Sequence, residues 1–303
     1  MTASTKWFIG ILAVLAVLAI GFTVVIFALI SSSGDRTETV TEGSGDRIAV
    51  VDLRGEIMSS DAVVRQLKRY RADRSVKAIL LHIDSPGGGV VASQEMYEEV
   101  RRTRDDGKPV IVSMGALAAS GGYYVACGGT RLVANRGTLT GSIGVISEFL
   151  QVKDALDKLG ITFNTIKAGK LKDAGSPLRK MTDDDRTYFQ RLMDDVHTQF
   201  IDVVVRERKL SRERIRELAD GRVFTGEEAV RLGLVDTLGT FEDAVRIAAG
   251  IAGIRGEPAL VRERHLKAFW EGIFGDAGDA IRDLKQELIE RPVLSYRFAH
   301  PAE

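Results

Sequence analysis

Residues 76–83, Val-Lys-Ala-Ile-Leu-Leu-His-Ile, are apolar almost throughout. A strand with one wet face alternates, so a run this continuous fits a strand buried on both faces, as in a parallel sheet covered by helices on each side. The surrounding chain agrees. Short β-branched runs at 48–53 and 110–114 predict further strands, and 61–71 and 93–104 predict helices. Residues 162–167 predict another strand, followed by helices over 183–208 and 211–219 and a last one at 241–251. Strand–helix alternation of this kind predicts an α/β fold with a largely parallel sheet and flanking helices. No internal repeat is visible, so the chain of 303 residues carries one catalytic unit.

Lysine plus arginine (42) equals aspartate plus glutamate (42), so no global charge points to nucleic acid. The local pattern says more. Residues 7–30 contain no ionisable side chain, a run long enough to cross a hydrocarbon core as a helix. A cleaved secretory signal has a shorter apolar core and a small-residue cleavage site. Here the run leads into Ile30-Ser31-Ser32-Ser33-Gly34, which favours one uncleaved N-terminal transmembrane helix. With Lys6 and the amino terminus on the short side, the positive-inside tendency places residues 1–6 in the cytoplasm and the rest of the chain outside. Residues 31–46 read as a polar tether, 47–255 as the folded domain and 256–303 as a tail with amphipathic helical pieces. The single cysteine, Cys127, has no internal disulfide partner and reads as a buried residue.

Two places carry chemistry. Ser120 stands between the 110–114 strand and a helical run beginning near Tyr123, flanked by Ala118, Ala119, Gly121 and Gly122. At such a junction a side chain is presented beside free backbone N–H groups, and glycine lets a substrate backbone come close. The second place is Asp84-Ser85-Pro86-Gly87-Gly88-Gly89, at the carboxyl end of the 76–83 strand and just before a helix, where ligands of α/β sheets bind. Its spacing matches neither phosphate-binding glycine pattern. An oxyanion hole made by this loop and the Gly121 amide is the sharper reading; a plain βα loop and a tight Gly-Ala turn are the blander ones.

A nucleophilic serine needs a base. His82 lies inside the apolar strand and reads as structural, His197 falls in a helix, and His265 and His300 lie in the tail. Residues 121–196 contain no histidine, which argues against a Ser-His-Asp arrangement. Lysine is the remaining choice, and it works only when an apolar pocket strips its charge.

The segments 84–89, 114–124, 139–145 (Leu-Thr-Gly-Ser-Ile-Gly-Val) and 168–173 (Ala-Gly-Lys-Leu-Lys-Asp) resemble the signal peptide peptidase A family in its short, single-unit form. The resemblance runs from about Arg47 to Ile251, with 220–226 and 232–236 similar to the family's C-terminal part. It implies a ClpP/crotonase-like fold and a Ser–Lys serine endopeptidase. Ser120 matches the nucleophile, Lys172 the general base, and Ser142 a serine that orients the lysine. Gly121 and the Gly87-Gly88 turn match the oxyanion donors, with the choice between Gly87 and Gly88 open. Lys170 is the tempting wrong lysine. Asp173 would point away from Lys172 if both lay on a strand.

The resemblance implies no metal or cofactor. Expected partners are cleaved signal peptides or other short unfolded peptides, the membrane, and further copies of the chain in a homo-oligomeric ring, but no nucleic acid. The implied location is the cell membrane, single-pass, with the catalytic domain extracytoplasmic. Competing readings are a Ser–Lys peptidase cutting one membrane protein, a crotonase-like acyl-CoA enzyme, and a catalytically silent scaffold.

Overall fold

The structure, a computed structural model, describes residues 37–265 and 295–297 together with Trp7 and Gly21. The expected transmembrane run at 7–30 and most of the tail therefore lie outside the described residues. Among the described residues no helix is long and apolar enough to cross a membrane. Two compact units divide at 40/41, 262/263 and 285/286. Everything below concerns the larger one, residues 41–262 with 286–303.

In chain order the strands are β1 (Thr37–Glu42), β2 (Arg47–Arg54), β3 (Val76–Ser85), β4 (Gly87–Gly89), β5 (Val110–Ala119) and β6 (Arg131–Ala134). They continue with β7 (Leu139–Gly141), β8 (Val223–Thr225), β9 (Thr237–Leu238), β10 (Ala259–His265) and β11 (Ser295–Arg297). The helices are α1 (Asp61–Ala72), α2 (Val90–Asp105), α3 (Gly121–Ala126) and α4 (Lys153–Lys158). They are followed by α5 (Asp183–Arg208), α6 (Arg212–Leu218), α7 (Gly226–Arg231) and α8 (Phe241–Ile251).

The sheet runs β10-β2-β3-β5-β6-β9, and each of these neighbours is parallel. Its apolar strands serve two cores at once. Ala49, Val51, Ile79, Leu81 and Val112 face a cluster shared with α1, α2, α3 and α5. Their neighbours Ile48, Val50, Ala78, Leu80 and Ile111 face a second cluster built on Ala244, Val245, Ala248 and Ala249 of α8. Successive strand side chains point to opposite faces, so burial on both faces removes the alternation and leaves the continuous apolar runs. Each buried leucine or isoleucine contributes about 1.5–3 kcal/mol relative to exposure, which makes this two-sided burial the main support of the fold. Beyond residue 255 the sheet gains β10, which pairs with β2 from Ala259↔Arg47 to Arg262↔Val50.

The strand expected at 162–167 does not form: residues 161–167 have no regular structure and 168–175 form bends and turns. Ile161, Phe163 and Ile166 have strand-forming side chains yet are 44%, 53% and 101% exposed. A strand is stabilised by a pairing neighbour and a covering layer, and the described residues supply neither here.

Candidate active site

β5 ends where the chain must turn sharply into α3, and Ser120 takes that turn at φ 53° and ψ −115°. A non-glycine residue held there is strained, a cost of order 1–3 kcal/mol that persists only when surrounding bonds enforce it. They do: the Ser120 N–H donates to the Gly141 carbonyl at 2.8 Å, and the Ser120 carbonyl accepts from the Tyr124 N–H at 2.8 Å. The turn leaves Ser120 Oγ buried with no hydrogen-bond partner among the described residues.

Ser142 arrives beside it through pairing. β7 runs parallel to β5 with Ala119 opposite Gly141, so the next residues, Ser120 and Ser142, leave the ladder together. Ser142 is buried, also has positive φ (51°), and its N–H donates to the Arg222 carbonyl at 2.9 Å. Both serines thus occupy special backbone positions fixed by neighbouring strands.

The glycine loop forms β4, a strand possible only for glycine. Gly88 has φ 157°, and a methyl placed on it would lie 2.2 Å from the Ile57 carbonyl oxygen. Ile57 donates to the Gly87 carbonyl (2.8 Å) and accepts from the Gly89 N–H (2.7 Å). The Gly87 N–H is taken by Ser85 Oγ at 3.1 Å, and that hydroxyl donates to the Gly55 carbonyl at 2.6 Å. Gly88 therefore turns its N–H and C=O to the other side of the strand. A methyl on Gly87 would lie 2.6 Å from the Gly121 amide nitrogen, so the loop and the start of α3 converge. We expect Gly88→Ala, whose methyl would meet the Ile57 backbone, to displace the glycine strand and lower kcat/KM by about 10²-fold or more, the scale of misplacing one oxyanion donor. A variant within a few-fold of wild type would remove Gly88 from the site.

The lysines separate clearly. Lys170 is exposed and ion-paired with Asp184, which raises its pKa. Lys172 is exposed in the 170–175 turns, with its N–H donating to the Gly169 carbonyl at 3.2 Å. Since Ser120 Oγ has no partner, Lys172 does not bond it within this chain. The expected opposition of Lys172 and Asp173 across a strand is corrected, because no strand forms there. Asp173 is instead engaged by Arg179 (2.9 and 3.0 Å) and by Lys167. Those bonds, Arg179's first, hold its pKa down at about 2.

Arg179 also binds Asp185, whose carboxylate closes the capping box with Thr182 at the start of α5. Hydrogen bonding by Arg179 lowers the Asp185 pKa as well. Both carboxylates titrate below their ordinary 3.8, so their stabilisation is present above that value and fades as pH falls toward about 2. Arg179→Ala should therefore flatten the fall in melting temperature between about pH 4 and pH 2. An unchanged slope would show that the pairs contribute nothing.

His82 is half-buried, its ring edge-on to Phe241 (5.5 Å) and its Nδ1 3.4 Å from Ser113 Oγ; burial lowers its pKa. Cys127 is buried, and burial pushes its thiol up to about 12. His197 is the unforeseen neighbour. It lines a cavity of about 430 Å³ together with Ser142, Ile146, Asp220 and Arg297, and its Nε2 is buried without a partner. No local motif marks this histidine, because the approach of α5 to the 142–146 segment is tertiary. Nor does the sequence mark β11, which lies against the glycine loop. His300 and the side chain of His265 lie outside the described residues.

A buried, strained serine between two converging glycine segments on a parallel sheet is an arrangement that acyl transfer can use. The family model described as "Peptidase family S49" matches residues 102–255, and "Clp protease" matches 44–148. A Synechocystis protein named as a protease is 43% identical over 210 residues, covering 69% of this chain and 75% of that protein. A protein of Enterococcus faecium named as a signal peptide peptidase is 39% identical over 180 residues, 59% of this chain and 52% of that protein. Protease 4 of Haemophilus influenzae is 34% identical over 226 residues, 71% of this chain but only 36% of that longer protein. With its serine turn, its glycine strand and these matches in agreement, the chain belongs to peptidase family S49 and is a protease.

Proposed function

We propose that this protein is a membrane-anchored serine endopeptidase in which Ser120 attacks the scissile carbonyl and Lys172 of an adjacent copy takes its proton. The observation that carries the reading is the buried, unpartnered Ser120 Oγ held at positive φ beside Ser142. In this reading the Gly88 and Gly121 amides stabilise the developing oxyanion, and the Gly87 N–H, already bonded to Ser85 Oγ, favours Gly88 as the loop's donor. Lys172 passes the serine's proton to the departing amine and, neutral again, takes one from the water that hydrolyses the acyl-enzyme; returning it to Ser120 Oγ frees the serine. Ser142 orients the lysine from the neighbouring strand end.

The exposed position of Lys172 supports completion between copies. The segment that carries it also turns Leu150, Leu159, Phe163 and Ile166 to solvent, an apolar surface suited to packing on another copy. In a homo-oligomeric ring, one symmetric contact would build one site per interface. Substrates are cleaved signal peptides or other short unfolded peptides. The 7–30 run anchors the chain in the cell membrane as a single pass, with the peptidase domain outside the cytoplasm. Cutting of one particular membrane protein is the alternative within proteases.

A fluorophosphonate probe tests the assignment. The full chain should be labelled, Ser120→Ala should not, and peptide hydrolysis should vanish with the label. Labelling that persists at another serine in Ser120→Ala would overturn it.

A further inference from the structure

Residues 161–182, the stretch that carries Lys172, contain neither helix nor strand. A side chain on such a stretch is placed only as well as its turn is tied down. A reacting group misplaced by about 1 Å can lose about 10²-fold in rate. The ties begin at the next residue. Arg179 grips Asp173 with its fork, Nε donating to Oδ2 at 2.9 Å and Nη2 to Oδ1 at 3.0 Å. The same guanidinium reaches Asp185 through Nη1 and, at 3.0 Å, through Nη2. Asp185 is buried in the first turn of α5. There the Thr182 N–H donates to its carboxylate at 3.0 Å, and its own N–H donates to Thr182 Oγ1 at 3.2 Å. Further along, α5 is rooted in the core by Phe200, Val203 and Val204. A continuous path therefore leads from the core through α5 and Arg179 to the residue beside Lys172.

Two further contacts brace the turn. Lys167 Nζ donates to the Lys170 carbonyl at 2.9 Å and also bonds Asp173. Gly175, at φ 75°, closes the turn against the rings of Phe149 and Phe189, whose centroids are 4.3 Å apart. A methyl on Gly175 would lie 2.7 Å from Phe149 Cε1 and 3.1 Å from Phe189 Cζ. Stability is a weak reason for one arginine to hold two carboxylates, because desolvation offsets most of the attraction in a buried pair. Fixing the position of a working turn is a stronger one.

We propose that Arg179 is a positioning residue: by locking Asp173 to the first turn of α5, it fixes the turn from which Lys172 is delivered to the serine of an adjacent copy. The inference rests on the reading of Lys172 as the base for that copy's Ser120. Lysine at position 179 is a poor substitute, since an ammonium lacks the planar fork that holds two carboxylates at once.

The test uses the full chain. Arg179→Ala should lower kcat by about 10²-fold, the scale of a misplaced reacting group, with KM within a few-fold of wild type. Arg179→Lys, which keeps the charge and most of the volume, should not restore kcat. Placement then separates positioning from a general loss of fold. In mixed assemblies of Ser120→Ala and Lys172→Ala chains, the Ser120→Ala chain supplies the lysine. Arg179→Ala added to that chain should abolish most of the recovered activity, whereas added to the Lys172→Ala chain it should leave the activity nearly unchanged. Equal losses in the two placements overturn the proposal, as does wild-type kcat in either single variant. Mixed assemblies that stay inactive with Arg179 intact overturn delivery between copies, and kcat of Arg179→Lys then decides whether the clamp positions Lys172 within its own chain. A wild-type chain that cuts no peptide fails the proposed function itself, a result distinct from all of these.

Discussion

Mixed assemblies of Ser120→Ala and Lys172→Ala chains should hydrolyse peptides although neither variant does so alone. Among the described residues Ser120 Oγ is buried without a partner while Lys172 is exposed on the 170–175 turns, so the proposed nucleophile and base are not joined within one chain. If an adjacent copy supplies the lysine, a site works when a chain with intact Ser120 borders one with intact Lys172. Random one-to-one mixing in a closed ring satisfies this at about a quarter of the interfaces. Co-expression with two affinity tags, followed by sequential purification and a peptidase assay, gives the result directly. Mixed oligomers that form and remain inactive would place the dyad within one chain.

The second large effect separates two lysines two residues apart. Lys172→Ala should lower kcat by about 10²–10⁴-fold, the range for losing a general acid–base group, while Lys170→Ala should stay within a few-fold of wild type. Lys170 is exposed, and its bond to Asp184 stabilises its charged form, the opposite of what a base requires. Among the described residues Lys172 makes no such pair, and Asp173, its sequence neighbour, is occupied by Arg179 and Lys167. Steady-state kinetics on purified, folded variants decides the matter. A dead Lys170→Ala beside an active Lys172→Ala would reverse the assignment.

The α/β architecture was legible because its causes are local. Burial of a strand on both faces writes a continuous apolar run, and residues 76–83 carry one. Helix α8 could be read to its end residues, since one turn's spacing of alanines and valines defines the buried face. Ser120 and the glycine loop stood out because a strained turn and a close backbone approach admit few residue types. The strand expected at 162–167 shows the reverse: propensity was present, but the pairing neighbour that makes a strand is a tertiary matter.

The sequence by itself determined the layered sheet, the serine turn and the glycine-rich loop, because each follows from short-range sterics or from burial pattern, and the resemblance pointed to the two candidate lysines. Only the tertiary structure decided that Ser142 stands beside Ser120, that the Gly87 N–H is committed to Ser85 while Gly88 pairs with Tyr296, and that Tyr296 packs on Tyr124 and Phe200. Only it shows Lys172 exposed and, among the described residues, not bonded to Ser120. These facts depend on register and on contacts between segments tens to hundreds of residues apart. No local pattern encodes them, because the free energy that fixes them arises only once the strands have paired.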